Sequence, residues 1–416
     1  MAYAEKRGKG EYPWRVKFKR PDGEWDQASG FRTKNDALDH GRDQEAAARA
    51  GTWTDPRKAK TPLSAVADMF MTGRAMAPST AATRRRFLRS YILPEYANTP
   101  VGEIKRWDVG TWAGKLPCAP ATASLVVSFL STLMNAAVDA ELIRGNPIAN
   151  LSLTRAGAQN VQAVVEERVW IYPEESIALA DRLFPRSASA AMMLLVAAFT
   201  GARWGELNAF HVDNCLLPVT DTIDGRAWTR RVLRIDPLVG ALHEDRILSP
   251  DGREHVHMYL GAPKPPNGAR DLELPDFLAD LLERHIESWR HPYPFCGVRG
   301  GFWGRGNWAK VFRPICDGRP AVPARQGRPA TDEWLPLAPG LTIHGLRHGH
   351  KTAMEEDGVP DVLQDDQMGH GGRGPVQRGD VRKRYTHVTP IMRRNRLGAM
   401  TTRWEKGLGS SASRWS

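Results

Sequence analysis

The chain has 416 residues and a formal net charge of +11, a length that predicts two or three domains, each able to bury a core. The basic balance suits a polyanionic partner, nucleic acid above all, although charge alone leaves a basic protein with no particular partner equally open. Four scattered cysteines (Cys118, Cys215, Cys296, Cys316) without a Cys-x-x-Cys pair argue against a zinc knuckle or a disulfide framework, and the absence of a membrane-length apolar run or a signal-peptide pattern predicts a soluble, cytoplasmic protein. The positive excess is spread, +4 over residues 1–60, +4 over 61–165 and +3 beyond, so each part would have to touch a polyanion separately.

Trp14-Arg15-Val16-Lys17-Phe18-Lys19 alternates apolar and basic residues with period two, and Pro21-Asp22-Gly23 supplies a turn, which predicts a β-hairpin. Thr33 to Asp36 reads as a helix start, with the helix running to Ala50 and stopped by Gly51. Residues 1–55 are thus expected to form a small sheet crossed by one helix. On that sheet Arg15, Lys17 and Lys19 would point together to solvent, as a plain solvated face or as phosphate contacts. Residues 54–62 are polar, Pro-bearing and aperiodic, a linker.

Residues 62–155 read as helical, with segments over 63–72, 80–96, 103–113 and a long apolar-periodic one over 121–143 that ends at Gly145 and Pro147. Arg84, Arg85, Arg86 and Arg89 cluster on the second helix, and beside a phosphate-handling domain such a cluster suits DNA-backbone contact. A second linker covers 155–169. Residues 168–405 mix helices with a few strands: Pro173-Glu174-Glu175 opens a helix, an apolar helix over 190–200 leads to Arg203, and strands are expected over 232–236, 255–261 and 270–274, the last two joined by a hairpin turn at Pro266-Asn267-Gly268.

The chemistry sits in the third region. His344-Gly345-Leu346-Arg347-His348 sets an imidazole and a fixed cation about one helical turn apart, so both can reach one anion. Tyr385 is the only tyrosine after that pair, and a phenol oxygen can be a covalent nucleophile. Arg203 stands in Thr200-Gly-Ala-Arg-Trp-Gly-Glu206, Lys264 in Gly261-Ala-Pro-Lys-Pro265, and His370 closes Met368-Gly-His. Glu206, three residues after Arg203, would share its helical face and fix the guanidinium, although an isolated Arg-x-x-Glu is usually an ordinary helix ion pair. His344, His348 and His350 also have metal-ligand spacing. However, no Glu follows His344 as in His-Glu-x-x-His, and Arg347 would set a cation beside the metal, so no metal is expected.

In this order Arg203, Lys264, His344, Arg347, His370 and Tyr385 resemble the active site of the tyrosine recombinases, the phage-integrase family. The resemblance implies a mixed α+β, multidomain fold: a small N-terminal β-sheet-plus-helix arm-binding domain, an all-α core-binding domain, and a mostly α catalytic domain with a small antiparallel sheet. It implies a site-specific recombinase in which Arg203 and Arg347 grip the non-bridging phosphate oxygens, Lys264 protonates the departing 5′-oxygen, and His344 and His370 act as proton acceptor or phosphate donors. Tyr385 forms a 3′-phosphotyrosyl link. Resealing then needs no nucleotide, metal or other cofactor, because the link conserves the energy of the phosphodiester. The implied partners are double-stranded DNA at attachment core and arm sites and three further copies of the chain in a tetramer. A DNA-bending protein and an excisionase are candidate accessories, and no membrane is involved. The segment over 391–406, rich in arginine and apolar residues, would dock on a neighbouring copy or on its own domain. Its one departure from the family is the 15-position interval from His370 to Tyr385. A type IB topoisomerase shares similar groups, but the N-terminal module and the His-x-x-Arg block count against it; a catalytically idle DNA-binding protein of the same fold is the remaining alternative.

Overall fold

Apolar side chains collect into three cores, and their spacing along the chain explains the architecture. The computed structural model describes residues 1–51, 53, 55–151, 153, 168–248, 253–264, 268–326, 329–369, 387–409 and 415. They fall into two compact units, Met1–Val161 and Gln162–Ser416.

The first unit holds two of the cores. Its antiparallel sheet has the order β1 (Tyr3–Lys6), β2 (Trp14–Lys19), β3 (Trp25–Phe31), and α1 (Lys34–Arg49) covers one face over Val16, Phe18 and Ala37. Thr33 starts α1 by a reciprocal cap: its hydroxyl accepts from the Asp36 amide and the Asp36 carboxylate accepts from the Thr33 amide. The second core is helical. It is built from α2 (Leu63–Gly73), α3 (Pro78–Phe87) running through a π-helical stretch Leu88–Ile92 into α4 (Leu93–Tyr96), then α5 (Arg106–Ala113) and α6 (Pro120–Asp139). By length and composition α6 is apolar enough to cross a membrane, which corrects the expectation that no run reaches that length. Val126, Leu130, Leu133 and Ala137, at helical spacing, are its contribution to this core.

The second unit is mixed. A 3₁₀ turn at Pro173–Glu175 leads into α7 (Ser176–Leu183), then α8 (Ala188–Thr200), in which every residue from Ser189 to Thr200 is buried. A helix apolar all round belongs at a core's centre, and α8 lies there. After the short α9 (Trp204–Ala209), β4 (Leu217–Ile223), β5 (Arg226–Arg234) and β8 (Asp271–Leu274) form an antiparallel sheet in that order. A separate two-stranded ribbon, β6 (Ala241–Leu248) with β7 (Glu254–Gly261), is inserted between β5 and β8. This corrects the expected hairpin: β7 pairs with β6 and β8 with β5, not with each other, while Pro266 and Asn267 of the expected turn lie outside the described residues.

The remaining helices are α10 (Asp276–Ser288), α11 (Arg305–Asp317), α12 (Ile343–Glu356), α13 (Asp361–Met368) and α14 (Pro390–Gly409). The last packs on its own unit. Trp404 stacks on Phe277 at 4.4 Å between ring centres, and fully buried Arg396 donates to the Glu273 carboxylate at 3.1 Å. Burial by itself would raise the Glu273 carboxyl, but Arg396, Arg393 and Arg230 outweigh it and hold it below the ordinary carboxylate range.

Candidate functional site

The site forms where the C-terminal ends of α8 and α13 meet the first turns of α9 and α12. Both α8 and α13 stop at a glycine in the left-handed region, Gly201 at φ +66 and Gly369 at φ +61. Glycine adopts that conformation without strain. The last carbonyls of a helix lack intrahelical donors and carry its negative dipole end, so they attract cations. Arg347 supplies one: its Nη1 donates to Gly201 O at 2.6 Å and its Nη2 to Met368 O at 2.5 Å.

Arg203 caps α9. Glu206, at the third position of that helix, accepts from the Arg203 amide at 2.8 Å and from its Nη1 at 2.9 Å, and Arg203 Nη2 donates to Gly369 O at 3.2 Å. A carboxylate buried as deeply as Glu206, 2 % exposed, needs full pairing. The second partner is Arg270, whose fork meets both oxygens at 3.0 Å. Burial alone would raise the Glu206 carboxyl; Arg270 first and then Arg203 outweigh it and keep it ionised.

Thr342 caps α12, its hydroxyl accepting from the Gly345 amide at 3.1 Å, and this sets His344 and Arg347 three residues apart in the first turns. Burial, with the guanidiniums of Arg203 and Arg270 working against Glu206, pushes Arg347 down to about 9, so it stays charged at neutral pH. Partial burial first, then His348, Arg347, Arg168 and Arg203, holds the His344 imidazole below its ordinary range, so it is neutral at pH 7 and can accept a proton. The glycines of the His344-Gly-Leu-Arg-His-Gly stretch have a packing reason. A Cβ on Gly349 would lie 1.7 Å from Ile171 O, so the extended chain before α7 runs directly against the helix backbone.

The sequence-predicted residues divide accordingly. Arg203, Glu206, His344 and Arg347 converge. Lys264 is exposed on the crossover between β7 and β8, six residues before Arg270. His370 and Tyr385 lie outside the described residues. His344 and His348 pack edge to face at 4.6 Å, while His350 points into the core and is fully buried; among the described residues no group of three or more His, Cys, Asp or Glu is arranged to hold a metal.

In the first unit the expected cationic face of β2 is corrected. Arg15 is only 7 % exposed and donates to Glu5 at 2.5 Å across from β1, and Lys17 lies 3.6 Å from the same carboxylate. Lys19 is exposed. On α3, Arg84 turns inward over the rings of Phe70 and Phe129 at 5.2 and 5.3 Å, while Arg85 and Arg86, and Arg89 on the π-helical stretch that follows, are exposed.

Arg270 is the residue that sequence reasoning passed over. The signal was Glu206, since a carboxylate in an apolar stretch demands more than one cation.

No protein-family model matches the chain. A curated relative, a tyrosine recombinase XerC-like protein of Caldanaerobacter subterraneus subsp. tengcongensis, is 24% identical over 337 residues, 76% of this chain and 76% of the relative. Among solved structures, the Tn1549 transposon integrase in complex with transposon right end DNA has a TM-score of 0.51 at 14% identity, covering 82% of this chain and 100% of that one. The same integrase with circular intermediate DNA gives a TM-score of 0.52 at 14% identity, over 80% of this chain and 98% of that one. The chain shares the fold of the transposon integrase, and over 76% of its length it is similar in sequence to a tyrosine recombinase XerC-like protein.

Proposed function

We propose that this protein is a site-specific DNA recombinase, the integrase of a phage or other mobile element, that cuts and rejoins DNA through a 3′-phosphotyrosyl intermediate. The observation that carries the reading is the convergence of three guanidiniums, Arg203, Arg270 and Arg347, around the single carboxylate of Glu206 beside a neutral His344. Such a positive excess stabilises a phosphodiester as negative charge builds on its non-bridging oxygens.

In this scheme the Tyr385 oxygen attacks phosphorus and its proton passes to a histidine, His344 or His370. The new O–P bond forms as the bond from phosphorus to the 5′-oxygen breaks, and Lys264 delivers a proton to that oxygen. The reverse step, with the 5′-hydroxyl of another strand, reseals the DNA without a nucleotide, because the covalent link conserves the bond energy. The arginines supply the positive charge, so the scheme calls for no metal.

The domain assignment belongs to the same reading: residues 1–55 as an arm-site reader using the exposed Lys19, residues 62–155 as the core-binding domain using the exposed Arg85, Arg86 and Arg89, and residues 168–405 as the catalytic domain. Joining two duplexes breaks four strands, so four copies would act together on DNA in the cytoplasm. A DNA-bending protein and an excisionase would govern direction.

Covalent trapping on nicked duplexes with randomised cores, followed by sequencing of the linked DNA, tests the scheme. Wild type is expected to trap DNA and Tyr385→Phe to trap none. A phenylalanine variant that still traps DNA removes Tyr385 as nucleophile, and a wild type that traps nothing favours an idle DNA-binding protein.

A further inference from the structure

Three consecutive carbonyls end α13, and each is taken by a different arginine. Gln367 O accepts from Arg270 Nε at 2.9 Å, Met368 O from Arg347 Nη2 at 2.5 Å, and Gly369 O from Arg203 Nη2 at 3.2 Å. Two of these arginines are the proposed phosphate grips. The third, Arg270, is 6 % exposed at its side chain against 28 % for Arg203 and is buried like Arg347; its donors are spent within the protein: two parallel bonds to Glu206, one to Gln367 O and one from Nη1 to Gly268 O at 3.0 Å. A guanidinium so committed has little left for a ligand.

Its position still bears on the chemistry. Arg270 links the entry to β8, the first turn of α9 and the end of α13, the point from which the chain continues towards His370 and Tyr385. By satisfying both oxygens of Glu206, it leaves that carboxylate free to orient Arg203 through a single side-chain bond instead of drawing it into a fork of its own. A Cβ on Gly369 would lie 2.8 Å from Arg270 Nη1, so the glycine turn is shaped to this guanidinium. Lysine, a point charge without the planar fork, cannot hold two carboxylate oxygens and a carbonyl at once.

We infer that Arg270 is a positioning residue for strand cleavage: it fixes Glu206 and the end of α13 so that Arg203 presents its guanidinium to the scissile phosphate. The inference rests on the recombinase reading above.

The test uses the full chain, the duplex recovered by covalent trapping, and a second duplex whose scissile phosphate is a methylphosphonate, which removes one non-bridging negative charge. Single-turnover formation of the covalent complex, DNA affinity and thermal melting are measured for wild type, Arg270→Lys and Arg270→Met. Both variants are expected to keep DNA affinity within about 3-fold and to cleave the phosphodiester about 100-fold more slowly, the loss that a misplaced group of about 1 Å produces. On the methylphosphonate, where less charge needs neutralising, the deficit relative to wild type should shrink to under about 10-fold. An equal deficit on both duplexes, a loss that follows DNA affinity, or wild-type cleavage by either variant overturns the inference. If both variants fail to fold, Arg270 is a staple of the fold only, which also overturns it. A wild type that traps no DNA sinks the recombinase reading itself, an outcome separate from all of these.

Discussion

Around the end of α13, Arg203 and Arg270 share one buried carboxylate and, with Arg347, take three successive carbonyls, whereas on β2 and α3 Lys19, Arg85 and Arg86 stand in solvent. The charges are alike and the constraints are not. In the first region each guanidinium is held by several partners in a poorly solvated setting, so its orientation is set before any ligand arrives. In the second, an exposed Lys or Arg keeps its rotamer freedom and contributes charge without geometry. The first arrangement suits chemistry on one phosphate, and the second suits sequence-independent hold on many.

The contrast can be broken most severely at Gly349. Adding even a Cβ there meets Ile171 O at 1.7 Å, so Gly349→Val should cost at least about 3 kcal/mol or abolish folding of the second unit. A melting temperature within a few degrees of wild type would show that α12 is not held against the chain before α7.

A smaller effect comes from acid. His350, fully buried beside Arg396, Arg347 and Arg403, is pushed down to about 3 by burial first and these cations second. The unfolded chain therefore binds a proton near the ordinary imidazole value that the folded chain refuses. Stability contributed by the neutral ring is full above that value and is lost as pH falls below it, by about 1.4 kcal/mol per unit and about 2 kcal/mol by pH 5. Urea titrations between pH 7 and 5 should show this slope in wild type and a flatter one in His350→Leu. Equal slopes would mean that His350 takes up a proton in the folded state.

The surface cations should respond in the opposite manner. Lys19→Ala is expected to leave melting unchanged and to lower the dependence of log DNA affinity on log salt by about one, the signature of one phosphate contact. Arg15→Gln, which removes the partner of Glu5 across β1 and β2, should instead lower the melting temperature of the first unit. The reverse pattern would exchange the roles of the two residues.

Reading the sequence was most successful where chemistry forces a fixed order of residues. Arg203, Glu206, His344 and Arg347 were each visible in short motifs, and the helix start read at Thr33 follows from its side-chain cap. It failed where tertiary context decides. β1 is a four-residue strand with no periodicity to betray it, and missing it made Arg15 look exposed when Glu5 covers it. β4 carries Pro218 and lies at the edge of its sheet, where proline is tolerated but hides the strand pattern. The ribbon of β6 and β7 escaped because β6 mixes His243, Glu244, Asp245 and Arg246 with few apolar residues, so β7 was assigned the wrong partner. Arg270 was legible as a residue but not as a partner of Glu206, a contact across 64 positions that no local pattern encodes.

The central claim is that Arg203 and Arg347 are pre-set to grip a scissile phosphate. Its most direct test is single-turnover cleavage of the trapped duplex by Arg203→Lys and Arg347→Lys, with DNA affinity measured on the same preparations. Cleavage should slow by about 10²- to 10³-fold while affinity changes little, because the lost interactions strengthen only as charge develops in the transition state. Cleavage at the wild-type rate by either variant would contradict the account.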